Sequence, residues 1–154
     1  MDDTRFYGLL AHPYGDGRCA VSVAFQTSSE AEAWMEVARH CTPKVRLLVT
    51  PGLDVHCPLE YSNRKEVVGF RELTKWTGLV RNMITEAKVL HDGDRVLAEH
   101  MGRAVASRHQ QGVVLSSTKS TGSIELARLA VWAVARATRA TWTTSKPTIA
   151  SSRR

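Results

Sequence analysis

The segment "TGSIELARLAVWAVARATRA", residues 121–140, decides how the rest of the chain can be arranged. It is rich in small apolar residues and carries one acid, Glu125, near its start. Its apolar residues recur at helical spacing, which predicts a final helix from about Ser123 to Thr141. A helix with so few polar positions has to pack against other elements, because water would otherwise contact its apolar surface.

Strand and helix patterns alternate before this helix. "RFYGLLAH" and "CAVSVAFQ" predict an antiparallel hairpin, because "PYGDG" between them supplies turn residues. The later segments, in chain order, are the helix "SSEAEAWMEVARHC", the buried strand "VRLLVT", the loop "PGLDVHCPLEYSNRK", the short strand "EVVGF", the helices "RELTKWTGLVRNMITEA" and "RVLAEHMGRAVASRHQ", and "GVVLSST" as a strand or loop. This order predicts an α/β fold in which helices cover a mixed sheet.

The length and the carboxyl-terminal composition predict the domain organisation. A chain of 154 residues is the size of one domain and can bury a core without disulfide support. We expect a single domain over residues 1–142 and a basic, flexible tail over residues 143–154, which contains a proline and several hydroxyl residues.

The termini and the cysteines indicate the cellular compartment. No apolar run approaches the ~18 residues that span a bilayer, and the acidic amino terminus does not resemble a signal peptide. We therefore expect a cytoplasmic protein without a membrane partner. The three cysteines contain no CxxC pair, which predicts reduced thiols. Two His-Cys pairs, at residues 40–41 and 56–57, suggest a zinc site, but core cysteines beside surface histidines fit this adjacent spacing better.

The net charge of the chain favours a polyanionic partner. There are 21 Lys and Arg residues against 15 Asp and Glu residues, which gives a formal charge of +6 and an isoelectric point near 9.6. Cationic side chains that neutralise phosphates release counterions, so such a balance is typical of proteins that bind nucleic acid. A solvated cationic face is the alternative explanation.

The segment "VLHDGDRVLAEHMGRAVASRHQQGVVLSSTKSTGSIELARLAVWAVARA" resembles the carboxyl-terminal nuclease domain of the large terminase subunit of tailed phages. The residues that carry the resemblance are the "HDGD" turn at 91–94, Leu97, His100, Gly112, Lys119, Ser120 and the final Ala-rich helix. The match is good over residues 79–140 and weak elsewhere. The resemblance implies a ribonuclease H or RuvC-like fold and a phage or prophage origin. The chain contains no GxxxxGK[ST] loop, so it is not a complete packaging motor.

The resemblance also implies a two-metal nuclease centre. Carboxylates would hold two Mg²⁺ or Mn²⁺ ions, with acids from the first strand, the end of the central strand and the final helix. Glu125 stands at the helix position, whereas Thr50-Pro51 replaces the expected Asp-Pro at the central strand. Asp54, and either Asp2 or Asp3, are the remaining candidates, and Asp3 is the one we assign together with Asp54 and Glu125. The family's first acid would lie upstream of this start, which suggests a shortened amino terminus.

Basic residues near the final helix are the candidates for DNA contact. Lys119 would steer a phosphate, and Arg128 and Lys146 would add to the cationic surface.

Three functions fit these observations. The first is a degenerate nuclease domain that binds DNA or a packaging component, because the metal centre is incomplete. The second is an active Mg²⁺- or Mn²⁺-dependent endodeoxyribonuclease that uses Asp3, Asp54 and Glu125. The third is an interaction module that regulates or interferes with phage packaging through the terminase or portal.

Overall fold

The computed structural model describes residues 5–109, 112–140 and 148–153. The strands are β1 (Phe6–Pro13), β2 (Cys19–Thr27), β3 (Arg46–Val49), β4 (Lys65–Val67), β5 (Val89–His91), β6 (Val105–His109), β7 (Gly112–Ser116) and β8 (Thr148–Arg153). The helices are α1 (Glu30–His40), α2 (Pro51–Asp54), α3 (Phe70–Thr85), α4 (Arg95–Arg103) and α5 (Glu125–Ala140), and a 3-10 turn covers Leu59–Tyr61.

Six strands form a mixed sheet in the order β4-β3-β8-β1-β2-β5. β1 runs antiparallel to both of its neighbours, whereas the other paired strands of this sheet are parallel. β6 and β7 form a separate antiparallel hairpin. A mixed sheet flanked by helices in one domain confirms the predicted α/β class, and the arrangement is consistent with a ribonuclease H-like fold.

Helices cover both faces of the sheet. One core cluster joins α3, α4 and α5 to the sheet through residues such as Leu48 and Ala150. The other joins α1 and α2 to the opposite face through alternate residues of the same strands, such as Leu47 and Ile149. The two faces are filled because successive strand side chains point to opposite sides. The apolar composition of residues 121–140 is explained by burial, since most of α5 lies inside the first cluster.

The carboxyl-terminal segment differs most from its prediction. Residues 148–153 form β8, which pairs with β1 on one side and β3 on the other. Ile149 and Ala150 are fully buried. The prediction of a flexible tail is therefore wrong for these residues, because hydrogen bonds to two neighbouring strands order a short polar segment. Residues 143–147 lie outside the described residues.

Two other boundaries also differ from their predictions. The helix expected over "RVLAEHMGRAVASRHQ" ends at Arg103, and the next residues form β6, whose pairing with β7 ends the helix. Residues 89–91, which were not predicted as a strand, form β5 at the edge of the sheet beside β2.

A glycine in β1 allows the hairpin to close under an aromatic ring. Gly8 pairs with Phe25 across the hairpin, at an irregularity in the register, and a Cβ atom at Gly8 would overlap the Phe25 ring. We expect Gly8→Ala to lower the free energy of unfolding by about 1–3 kcal/mol, because the buried ring has to shift. Urea denaturation measures the loss. In a Phe25→Leu background the cost of Gly8→Ala should shrink, and an unchanged cost would exclude the ring as its cause.

Candidate functional site

Glu125 is the first residue of α5 and its side chain is enclosed by the protein. The residue is 8% exposed, and the Oγ of Ser152 donates a hydrogen bond to its Oε2 over 3.1 Å. Its Oε1 lies 3.6 Å from the Nη1 of Arg128, one helical turn further on. Glu125 is therefore not a solvated acid of the first helical turn. The carboxylate interacts with a hydroxyl group and a cation inside the molecule.

The sheet register brings a second hydroxyl residue to this end of the strands. β3 and β8 are parallel, and Val49 pairs with Ser151. Thr50 and Ser152 follow these two residues, so they lie at the carboxyl ends of neighbouring strands. The amino end of α5 faces this edge because Glu125 contacts Ser152 there. We call Glu125, Arg128, Ser152, Ser123 and Thr50 the Glu125 cluster.

A buried histidine fixes the start of α5. The Nδ1 of His100 accepts a hydrogen bond from the backbone N–H of Leu126 over 3.0 Å, which satisfies one of the free N–H groups of the first turn. The His100 ring meets the Tyr7 ring edge-on at 5.1 Å between centroids. The Tyr7 carbonyl in turn accepts a hydrogen bond from the Ser151 hydroxyl over 3.0 Å. These contacts tie α4, β1 and β8 to the helix that carries Glu125.

Several polar atoms of the Glu125 cluster are buried without a hydrogen-bond partner among the described residues. They are the Oγ1 of Thr50, the Oγ of Ser123 and the Nε of Arg128. Burying a polar group without a partner costs about 1–3 kcal/mol, so stability alone does not favour such a concentration. A group of this kind is more typical of a site than of a core.

Of the three predicted metal ligands, the structure describes Asp54 and Glu125, and each carboxylate lies beside a different cationic side chain. Asp54, at the end of α2, accepts a hydrogen bond from the Lys65 amino group at 2.6 Å, and this bond raises the pKa of Lys65. Asp2 and Asp3 lie outside the described residues. In residues 5–109, 112–140 and 148–153, no group of three His, Cys, Asp or Glu side chains could hold a metal ion.

The Glu125 cluster does not fit a two-metal centre. Two divalent cations need several bridging carboxylates, and the cluster supplies one. The neighbouring groups are the neutral hydroxyls of Ser152 and Thr50 and the cationic side chain of Arg128, which repels a metal ion. Nothing in this donor set supports Mg²⁺ or Mn²⁺ chemistry at this edge of the sheet.

The three predicted DNA-binding residues have different surroundings. Lys119 is exposed on the loop between β7 and α5. The Arg128 side chain is only 25% exposed and lies beside Glu125. Lys146 lies outside the described residues. Of these three, Lys119 is therefore the described side chain that is open to a phosphate.

The cysteines have the environment of core residues. Cys19 and Cys41 are buried, Cys57 is partly buried, and all three are free thiols. Burial raises the pKa of Cys19 to about 12 and also raises the pKa of Cys41 and Cys57. Metal binding requires the thiolate, so these shifts oppose a zinc site.

Two residues of the site were not predicted as functional. Ser152 was placed in a flexible tail, and no local pattern could have revealed its contact with Glu125, 27 residues away. His100 was named among the residues that carry the resemblance; it is 2% exposed, and its hydrogen bond to α5 was not predicted. The position of His100 on the apolar face of α4 was the feature of the sequence that could have indicated a buried histidine.

Removing the Glu125 carboxylate should destabilise the fold. We expect Glu125→Ala to lower the free energy of unfolding by about 1–3 kcal/mol, because the Ser152 hydroxyl loses its acceptor and the Arg128 cation loses its counter-charge. Glu125→Gln should cost less, since an amide oxygen still accepts the hydrogen bond. Urea denaturation measures both changes.

Glu99→Ala is the matched control, because Glu99 pairs with Arg95 and Arg103 on the exposed surface of α4. Its loss should change the free energy of unfolding by no more than about 0.5 kcal/mol per pair. Equal costs for Glu125→Ala and Glu99→Ala would contradict a structural role for Glu125.

Comparison with known proteins assigns neither a family nor a function to this site. A scan against protein-family models gave no match, and neither did searches of curated proteins and of solved structures. Among the helices of the described residues, none has the length and apolar character needed to cross a membrane.

Proposed function

We propose that this chain is a degenerate, terminase-nuclease-like domain that binds DNA or a phage packaging component without cleaving DNA. The observation that carries the proposal is the state of Glu125. It is a single buried acid that is held by Ser152 and faces Arg128. The resemblance implies three acids around a metal centre, whereas the described neighbours of Glu125 are hydroxyl residues and Arg128.

The surface charge supports a nucleic-acid partner. The formal charge of +6 favours association with phosphates through counterion release. Lys119 is exposed close in sequence to the Glu125 cluster, which is the position where the resemblance places phosphate contact. DNA binding therefore requires no metal ion in this proposal.

An interaction module that regulates packaging is the second candidate. Val55 and Leu59, on the segment after α2, are 76% and 89% exposed. These two exposed side chains offer apolar surface to a partner protein. A terminase or portal protein is the partner that the resemblance suggests.

Purified protein should bind duplex DNA and should not nick it. We expect fluorescence anisotropy to detect binding at low salt, with a steep loss of affinity as salt is raised between about 50 and 200 mM. Supercoiled plasmid incubated with the protein and Mg²⁺ or Mn²⁺ should stay intact, because one carboxylate cannot hold two ions.

Each other outcome favours a different function. Metal-dependent nicking that Glu125→Ala abolishes would make the chain an active endonuclease, with Asp3 and Asp54 as the first residues to substitute. Absence of DNA binding at low salt would remove both nucleic-acid functions and favour the interaction module. Glu99→Ala controls for contaminating nuclease, since a co-purifying activity would be the same in every variant.

A further inference from the structure

A basic pocket lies at the opposite end of β3 from Thr50. It has a volume of about 330 Å³ and is formed where β3 and β4 begin. Its cationic lining residues are Lys44, Arg46, Arg64 and Lys65. These strands run parallel, so their first residues meet at one edge of the sheet and gather the four side chains there.

The carboxylates near this pocket do not neutralise its charge. The Oδ1 of Asp54 forms an ion pair with the Nζ of Lys65 at 2.6 Å. Glu66 lies 4.0 Å from Arg46 and only 2.6 Å from Arg136, so it is shared between two guanidinium groups. The remaining two cations of the pocket make no ion pair with the described residues.

Lys44 and Arg64, the two cations without an ion pair among the described residues, leave the pocket open to an anion. Arg64 stacks over the Tyr61 ring, and its Nη1 donates to the Thr42 carbonyl, which carries no charge. Lys44 is exposed. The pocket therefore retains a net positive charge in a concave surface, where the field of several cations adds up.

The positive surface continues past Glu66 along α3. A second pocket of about 260 Å³ is lined by the cations Arg71, Lys75 and Arg136 and by the carboxylates Glu66 and Glu72. Glu72 accepts a hydrogen bond from the backbone N–H of Gly69, and the three cations outnumber the two acids. Arg71 and Lys75 are exposed and lie one helical turn apart. We call Lys44, Arg46, Arg64, Lys65, Arg71, Lys75 and Arg136 the β4 basic surface, because they surround this edge strand.

We infer that the β4 basic surface holds the sugar-phosphate backbone of duplex DNA. This inference rests on the proposed function and names the surface that performs it. Cations spread over two adjoining pockets match a row of phosphates better than one small anion. Trp76, which lines the second pocket, is 5% exposed and offers no face for base stacking, so duplex DNA fits better than a single strand.

Three exposed side chains of this surface allow a test that leaves the core intact. Lys44, Arg71 and Lys75 make no ion pair with the described residues, so we use the triple variant Lys44→Gln, Arg71→Gln, Lys75→Gln. The matched control is Arg39→Gln, Arg81→Gln, Arg95→Gln, which removes the same charge from exposed positions that line neither pocket. Lys119→Gln reports on the Glu125 side of the molecule.

Fluorescence anisotropy with labelled duplex DNA is measured over a range of salt concentrations. Removing three phosphate contacts should weaken binding by about tenfold or more at low salt and reduce the slope of log affinity against log salt by about 3. The control triple should keep the wild-type slope, whereas Lys119→Gln should reduce it by about 1, the effect of one phosphate contact. Circular dichroism and thermal unfolding verify that each variant is folded.

The outcomes separate this inference from the proposed function. If the wild type binds DNA and the Lys44, Arg71, Lys75 variant binds equally well, the β4 basic surface is not the interface and the proposed function stands. The same conclusion follows if both triple variants weaken binding equally, because net charge alone would then explain it. If the wild type does not bind DNA, this inference falls together with the DNA-binding form of the proposed function, and binding to a packaging component remains.

Discussion

A chain that ends at Pro147, and so lacks β8, is expected to lose its cooperative fold. β8 lies between β1 and β3, so its removal leaves each of these strands unpaired on one side, splits the sheet in two and exposes both core clusters. Each buried backbone group left unpaired costs about 1–3 kcal/mol. Several such groups exceed the roughly 5–15 kcal/mol that stabilise a domain. Far-UV circular dichroism and thermal denaturation should show loss of structure and no cooperative transition.

Arg153→Gln is the control for this truncation. Arg153 is exposed at the end of β8, and its side chain lies 5.9 Å from the centre of the Phe6 ring. Losing this contact should cost no more than about 1 kcal/mol and leave a cooperative transition. A truncated chain that unfolds at the wild-type temperature would contradict the place of β8 in the sheet. Refolding on addition of a peptide of residues 148–154 would support it further.

Restoring acids beside Glu125 should create a metal requirement that the natural chain lacks. In the double variant Thr50→Asp, Ser152→Asp, three carboxylates would lie close together at the carboxyl ends of β3 and β8. Without metal their mutual repulsion should lower the melting temperature by several degrees. Mn²⁺ should reverse the loss, because a ligand that binds only the folded state adds about 2.7 kcal/mol at 100 times its dissociation constant.

Differential scanning fluorimetry with Mn²⁺ and with EDTA measures this effect. The wild type should melt at the same temperature in both conditions, since Glu125 is the one carboxylate that the described residues supply to the cluster. The variant Ser62→Asp, Ser117→Asp adds the same charge at exposed positions and should also be insensitive to Mn²⁺. Equal stabilisation of wild type and double variant by Mn²⁺ would show that the natural chain already binds metal, and would contradict a degenerate centre.

The elements that were predicted well are those whose burial pattern is local. α3 was predicted from its apolar spacing, and Leu73, Trp76, Val80 and Met83 are buried as expected. Three other apolar residues of α3, Phe70, Leu79 and Ile84, are 58%, 44% and 43% exposed. The β1–β2 hairpin was predicted because its turn residues lie between two apolar strands. Such patterns are visible in the sequence because one face of each element is always buried.

The elements that were missed depend on distant partners. Residues 148–153 contain only Ile149 and Ala150 as apolar residues, which is too few for a strand pattern. Their order comes from β1 and β3, which lie about 100 or more residues away along the chain. α4 ends at Arg103 because residues 105–109 pair with β7, and this pairing overrides the helical spacing of the segment.

The candidate site was also predicted only in part, and the missed contacts again join distant segments. Glu125 was predicted from its position at the start of the last helix, whereas its contact with Ser152 could not be. Asp54 was a candidate because it is an acid after the central strand, but in the structure its carboxylate binds Lys65. The contribution of each carboxylate to a metal site depends on which charges lie within about 4–6 Å of it, and linear spacing does not report that distance.

The amino-acid sequence by itself determined that this chain is a basic α/β domain whose last helix is buried and begins with a single acid. Those features follow from composition and from periodicity, which act within one element at a time. Only the tertiary structure decided that the carboxyl-terminal residues complete the sheet, that a serine and an arginine contact Glu125 among the described residues, and that cations gather around β4. These three features arise from contacts between segments far apart in the chain, and such contacts exist only once the chain has folded.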